Sequence, residues 1–161
     1  MTTPSVRRLN HAVLTVRNLD RAVDFYRRVF GFEQIARMGG QMAFMRAPGS
    51  SNHHDLGFFA KGEGAIDPPR NAVGLFHLAW EVPTIEDLAA ARTALEREGA
   101  LVGASDHGAT KSLYGTDPDG HEFEVMWQVP RELWGEYDKQ APTGPLDLDA
   151  ELRRFASAKK M

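Results

Sequence analysis

The sequence predicts an α+β fold of two βαβββ modules whose sheets form a cup, followed by a C-terminal helical tail. Three observations carry this. Two stretches, LNHAVLTV at Leu9 to Val16 and LFHLAWEV at Leu75 to Val82, resemble each other and read as strands. Each leads into a capped amphipathic helix, and each helix is followed by three short strand-like runs. Neither module alone buries both faces of its sheet; two together pack helices on one side and enclose a ligand-sized cup on the other.

The first helix has Asn18 as cap, Ala22, Val23, Tyr26, Val29 and Phe30 as its apolar stripe, and Gly31 as its stop. The second opens on Thr84 with Asp87, which resembles a capping box, carries Ile85, Leu88 and Leu95, and ends at Gly99. The runs after the first helix are Phe32 to Met38, Gln41 to Arg46 and His53 to Ala60; those after the second are Leu101 to Ala104, Lys111 to Thr116 and His121 to Gln128. Turns at Gly39-Gly40, Pro48-Gly49 and Asp117-Pro118-Asp119-Gly120 separate them. The modules span about 9–60 and 73–128 of one domain covering 1–161, with a Gly-, Pro- and charge-rich linker at 61–72. In the tail, 129–161, an amphipathic helix begins near Asp147 with Leu148, Leu152 and Phe155 on one face. That stripe needs a partner surface, the body of the protein or a second subunit, so a homodimer is an expectation.

Composition narrows the function. A formal charge of -3 and no long basic block argue against nucleic acid and membrane surfaces as partners. No apolar run reaches the roughly 18 residues that span a bilayer, and residues 1–10 lack the apolar core of a secretory signal, so a cytoplasmic location is expected. With no cysteine there is no thiolate nucleophile or thiolate metal site, and any metal binds through nitrogen and oxygen.

Strand alternation assigns faces. Ala12, Leu14 and Val16 form the helix side of the first strand, leaving His11, Val13 and Thr15 for the cup. Leu78, Trp80 and Val82 do the same in the matching strand, leaving His77 and Ala79 inward. In the last strand Phe123, Val125 and Trp127 face a helix while Glu122, Glu124 and Met126 face inward. His11, His77 and Glu124 are therefore candidate metal ligands, since an inward carboxylate is costly without a cation or a donor. His121, at odd spacing from Glu124, faces the other way and reads as surface or structural. Met42, Phe44, Met45, Phe58 and Met126 offer an apolar lining, although such residues are more often ordinary core.

His11-Ala-Val-Leu-Thr-Val, Asp24-Phe25-Tyr26 and Phe30-Gly31-Phe32, then His77 in FHLAWEV and Asp117-Pro118-Asp119-Gly120 leading to Glu124, resemble the two modules of the vicinal oxygen chelate superfamily. That superfamily includes glyoxalases, extradiol dioxygenases, fosfomycin-resistance transferases and bleomycin-binding proteins. The resemblance covers about Leu9 to Trp127 and implies that His11, His77 and Glu124 are metal ligands. Two segments are most similar to the extradiol dioxygenases. Asn52-His53-His54-Asp55-Leu56-Gly57-Phe58 resembles the strand that carries a catalytic histidine, and Tyr114, ten residues before Glu124, matches a tyrosine beside substrate and metal. His107 lies near a further site position, where the larger enzymes carry asparagine. Many of those enzymes have four modules and this chain has two, and some two-module relatives complete each site across a dimer.

The resemblance implies extradiol cleavage of a catechol-type aromatic diol by dioxygen. Two histidines and a carboxylate on one face of an octahedral ion suit Fe(II), and Mn(II) fits the same geometry, with three positions left for diol and dioxygen. His54 serves as acid and base, and Tyr114 and His107 donate hydrogen bonds. Alternation admits one histidine of the pair into the cup: His54 with Leu56 and Phe58, or in the competing phase His53 with Asp55. The alternative functions are a glyoxalase-like isomerase, with a fourth ligand from His53, His54 or Asp55, and a non-catalytic binding protein for an aromatic or antibiotic molecule. A fosfomycin thiol transferase is disfavoured because no cationic segment for a phosphonate stands out.

Overall fold

Two helices with side-chain caps organise the chain in the computed structural model, which describes residues 3–69 and 71–158. Asn18 accepts from the Arg21 N–H at the start of α1 (Leu19–Phe30), and Gly31, at φ 68°, closes it with bonds back to its last turn. Thr84 accepts from the Asp87 N–H at the start of α2 (Ile85–Arg97). Each helix covers one four-stranded sheet. The chain divides into two units, Met1–Pro68 and Pro69–Met161, and the division falls inside the segment read as the linker.

In the first unit β1 (Ala12–Val16), β2 (Glu33–Met38), β3 (Met42–Arg46) and β4 (Leu56–Ala60) lie in the order β1-β4-β3-β2, with β1 and β4 parallel and the other pairs antiparallel. In the second, β5 (Leu78–Val82), β6 (Leu101–Asp106), β7 (Thr110–Thr116) and β8 (Glu122–Gln128) repeat the pattern as β5-β8-β7-β6, with β5 and β8 parallel. The βαβββ order thus occurs twice. Leu14, Val16, Met45, Leu56 and Phe58 are buried with the α1 stripe, which also includes Phe25. Leu113, Phe123, Val125 and Trp127 are buried with Ile85, Leu88 and Leu95 of α2.

Three expectations change. The run at His53 to Ala60 becomes a strand only from Leu56, because the Asp55 carboxylate gathers Ala47, Ser50 and Asn52 into a turn just before it. The run at Leu75 to Val82 pairs only from Leu78, opposite Phe123, since β8 begins at Glu122; Leu75 and Phe76 are 67% and 75% exposed. Phe58 and Met45, expected in an apolar lining, are instead fully buried in the core under α1 with Leu56, and the Phe58 and Tyr26 rings are 5.2 Å apart.

The tail helix α3 (Leu148–Ala158) finds its partner surface within its own unit. Leu148 and Phe155 are buried, the Phe155 ring stands edge-on to Trp127 at 4.7 Å, and Arg92 of α2 pairs with Asp149 at 2.7 Å. The stripe therefore supplies no argument for a second subunit. Among the described residues no helix is long and apolar enough to cross a membrane.

Candidate metal and active site

On the face of the second sheet away from α2, the register sets Glu124 of β8 between Ala79 of β5 and Tyr114 of β7. His77 sits one residue before β5, and its Nε2 lies 3.2 Å from Glu124 Oε2. The other ring nitrogen, His77 Nδ1, is buried without a hydrogen-bond partner. Two ligand atoms each about 2.1 Å from one ion and at right angles stand about 3 Å apart, so this pair has the spacing of neighbouring ligands as well as that of a hydrogen bond. Imidazole nitrogen with carboxylate oxygen suits a borderline or hard divalent cation. Among the described residues no group of three or more His, Asp or Glu side chains is placed to hold an ion. His77 and Glu124 are the two expected ligands that the second unit brings together.

Tyr114 extends this cluster. Its ring centroid is 6.0 Å from that of His77, and its hydroxyl is 2.8 Å from His107 Nε2. Burial, followed by the negative charge of Glu124, pushes the phenol pKa above its ordinary 10.0, so the hydroxyl keeps its proton at neutral pH. His107 Nδ1 meets the Pro142 carbonyl at 2.8 Å.

The first unit holds the remaining candidates. His11 Nδ1 lies 2.9 Å from Asn10 Oδ1, an atom that only accepts; the ring proton therefore sits on Nδ1 and the lone pair on Nε2. Asn10 is tied in turn to Asn52, whose amide donates to the Asn10 carbonyl at 2.9 Å. The His54 ring is 4.5 Å from His11 and 5.0 Å from Phe44. Strict alternation with Leu56 and Phe58 would have placed His54 on the helix side, and the turn at 52–55 removes that constraint. Burial first, then electrostatic coupling to His11 and His53, lowers the His54 pKa below 6.5 against an opposing pull from Asp55, so the ring favours its neutral form. His53 is exposed and touches His54 through its Nδ1 at 3.1 Å.

Asp55 is spent on the loop. Its carboxylate accepts from the Ala47 N–H at 2.9 Å, the Ser50 hydroxyl at 2.7 Å and the Asn52 amide at 2.8 Å. Burial alone would raise its pKa, but these bonds outweigh it and hold the group below 3.8. A carboxylate so occupied has little left to offer an ion. Asp117 plays the same part in the Asp-Pro-Asp-Gly turn, where it accepts from the Asp119 and His121 N–H groups and from the His121 ring. Sequence reasoning missed three contributors. Asn10 was legible only as a polar residue beside His11; the Pro142 carbonyl and the buried Lys111, held by Asp106 at 2.6 Å and Glu151 at 3.6 Å, depend on where the tail docks.

The family model for the Glyoxalase/Bleomycin resistance protein/Dioxygenase superfamily matches residues 8–125. The chain is 32% identical over 157 residues to a catechol-2,3-dioxygenase of Bacillus subtilis (strain 168), an alignment covering 94% of this chain and 53% of that protein. It thus spans about half the length of that relative. It is 30% identical over 153 residues to the metallothiol transferase FosB of Shouchella clausii (strain KSM-K16), covering 92% of this chain and 99% of that one. Among solved structures, a glyoxylase/bleomycin resistance protein/dioxygenase domain from Frankia sp. EAN1pec superposes with a TM-score of 0.64 at 24% identity, over 78% of this chain and 100% of that one; this likeness concerns the fold.

Proposed function

We propose that this chain, which belongs to the Glyoxalase/Bleomycin resistance protein/Dioxygenase superfamily, is a metal-dependent extradiol dioxygenase that opens the ring of a catechol-type diol with dioxygen. The observation that carries the reading is the cluster on the second sheet, where a histidine and a carboxylate at ligand spacing stand beside a protonated tyrosine. The likeness to a catechol-2,3-dioxygenase over 94% of this chain supports the same chemistry.

In this reading His77 and Glu124 hold the ion, and His11 is the third ligand, its Nε2 lone pair left free by the bond to Asn10. Fe(II), or Mn(II) in the same geometry, would bring diol and dioxygen together and pass electron density between them. His54, kept neutral by its surroundings, takes the proton of the second diol hydroxyl and later returns it. Tyr114 hydrogen-bonds a substrate oxygen, and His107 holds the Tyr114 hydroxyl at 2.8 Å. Both atoms of dioxygen enter the product, a ring-opened semialdehyde, so no external reductant is needed. The Asp55 bonds count against Asp55 as a fourth ligand, which leaves the isomerase alternative only His53 or His54 for that place.

One observation favours a second reading. The alignment with the metallothiol transferase relative covers 92% of this chain and 99% of that protein, whereas the alignment with the dioxygenase relative covers 53% of that protein. The deciding experiment is to load the protein anaerobically with Fe(II) or Mn(II) and supply in turn a panel of catechols with dioxygen, and a thiol with fosfomycin. Yellow ring-opened product supports the first reading. Thiol consumption without oxygen uptake would replace it with the second.

A further inference from the structure

We propose that the C-terminal tail carries a positioning element for this site: the Pro142 carbonyl holds His107 as the Nδ1–H tautomer, and His107 in turn draws the Tyr114 hydroxyl proton to its Nε2. Tyr114 then meets a ligand as a hydrogen-bond acceptor. What it meets rests on the ring-cleavage reading; the tautomer does not.

The direction of each bond follows from donor chemistry. A carbonyl oxygen has no proton, so the 2.8 Å contact requires the proton on His107 Nδ1. The Thr143 hydroxyl, 3.4 Å from the same nitrogen, is the weaker neighbour. A neutral imidazole so fixed has its lone pair on Nε2, and the Tyr114 hydroxyl at 2.8 Å must donate to it. Glu124, cross-strand from Tyr114, also lies within hydrogen-bonding reach of the hydroxyl and is the competing acceptor. If Tyr114 donated to Glu124 instead, His107 would have to carry protons on both nitrogens. With its own proton committed inward, the phenol oxygen offers lone pairs outward, which suits a ligand that presents an O–H group, as a diol does.

The tail is fastened to the hairpin that bears His107 at three points. Gly144 exchanges both backbone bonds with Asp106, the last residue of β6, at 2.9 and 3.0 Å. The Tyr137 ring fills the space over Gly108, where a Cβ would come within 2.4 Å of it; Gly108 has φ +75°, and no other residue type fits that combination. The Val129 N–H donates to the Ala109 carbonyl at 3.0 Å. These contacts place Pro142, two residues before Gly144, over the imidazole. They come from residues beyond 8–125, so the device belongs to this chain's tail and not to the segment that matches the family.

The test is ¹⁵N NMR of the histidine rings in the full-length, metal-free protein at neutral pH. The expected result is His107 with a protonated Nδ1 and an unprotonated Nε2. Gly144→Pro, which removes an N–H of the Asp106 pair, and Tyr137→Ala, which removes the ring over Gly108, should each yield a mixture of tautomers. Tyr114→Phe should leave the Nδ1–H form intact, and the His121 ring, held by Asp117, serves as the internal control. The proposal is overturned if wild-type His107 is the Nε2–H form or doubly protonated, or if both tail variants keep the Nδ1–H form unchanged. In the metal-loaded protein the tail variants should lose about 10- to 100-fold in catechol turnover at unchanged metal content. Full turnover in a variant with a mixed tautomer would remove the positioning role. If wild type itself turns over no catechol, the ring-cleavage reading fails while the tautomer result stands.

Discussion

Replacing Asp55 with alanine separates a loop carboxylate from a metal ligand. The substitution deletes the acceptor for one backbone N–H and two side-chain donors, at 2.9, 2.7 and 2.8 Å. Each bond to a charged group is worth about 1.5–3 kcal/mol net. The Ser50 hydroxyl and Asn52 amide can turn to water once freed, whereas the Ala47 N–H is fixed by the chain. The expected loss is therefore about 2–4 kcal/mol, well short of the three-bond sum. Urea unfolding followed by circular dichroism should show a lower midpoint at unchanged slope. Asp55→Asn, which keeps one acceptor oxygen, should lose about half as much. Metal content per chain should stay within a few tenths of wild type in both. An unchanged midpoint together with lost metal would refute the reasoning, make Asp55 a ligand, and strengthen the isomerase alternative.

Acid should destabilise the fold through the same group and through Asp106, whose pKa burial would raise but which Lys111 and the Gly108 N–H hold below 3.8. Their stabilisation is complete above 3.8 and is lost as pH falls through the depressed folded-state values, so Asp55→Ala should flatten the acid limb of a stability profile. Lys111→Met leaves Asp106 and Glu151 facing each other without their cation. The cost should be about 2–3 kcal/mol by urea unfolding, below the 3–5 of a fully buried pair because both carboxylates keep some solvent contact; a change under about 0.5 would show that the ammonium holds nothing. Phe155→Ala removes the ring against Trp127 and should cost about 3 kcal/mol, with the mass by light scattering unchanged. A fall in mass would return the tail helix to a subunit interface.

Periodicity made most of the fold legible. The caps at Asn18 and Thr84, the stop at Gly31 and the inward set on β8 are local signals that tertiary packing left intact. What periodicity could not see were strand ends. A strand lasts only while a neighbour pairs with it, so Leu75 and Phe76, although apolar, lie outside β5 because β8 does not reach them. The argument for His54 from alternation presumed a strand where the Asp55 carboxylate builds a turn, so its phase with Leu56 and Phe58 had no meaning. At the site, His77 with Glu124 could be anticipated because both sit at repeat-related or family-matched positions. The contacts of Tyr114 could not, since its partner His107 meets a carbonyl 28 residues beyond Tyr114, in the part of the tail before α3 that carries no periodic signal.

Dioxygen uptake measures the central claim most directly. With the chain loaded anaerobically with Fe(II) or Mn(II) and metal content confirmed, an oxygen electrode should record about one dioxygen consumed per catechol lost, matched by ring-opened product, and His77→Ala and Glu124→Ala should abolish both. A metal-loaded chain that consumes no dioxygen with any diol of the panel, while these two variants keep full metal, would contradict both the reaction and the site.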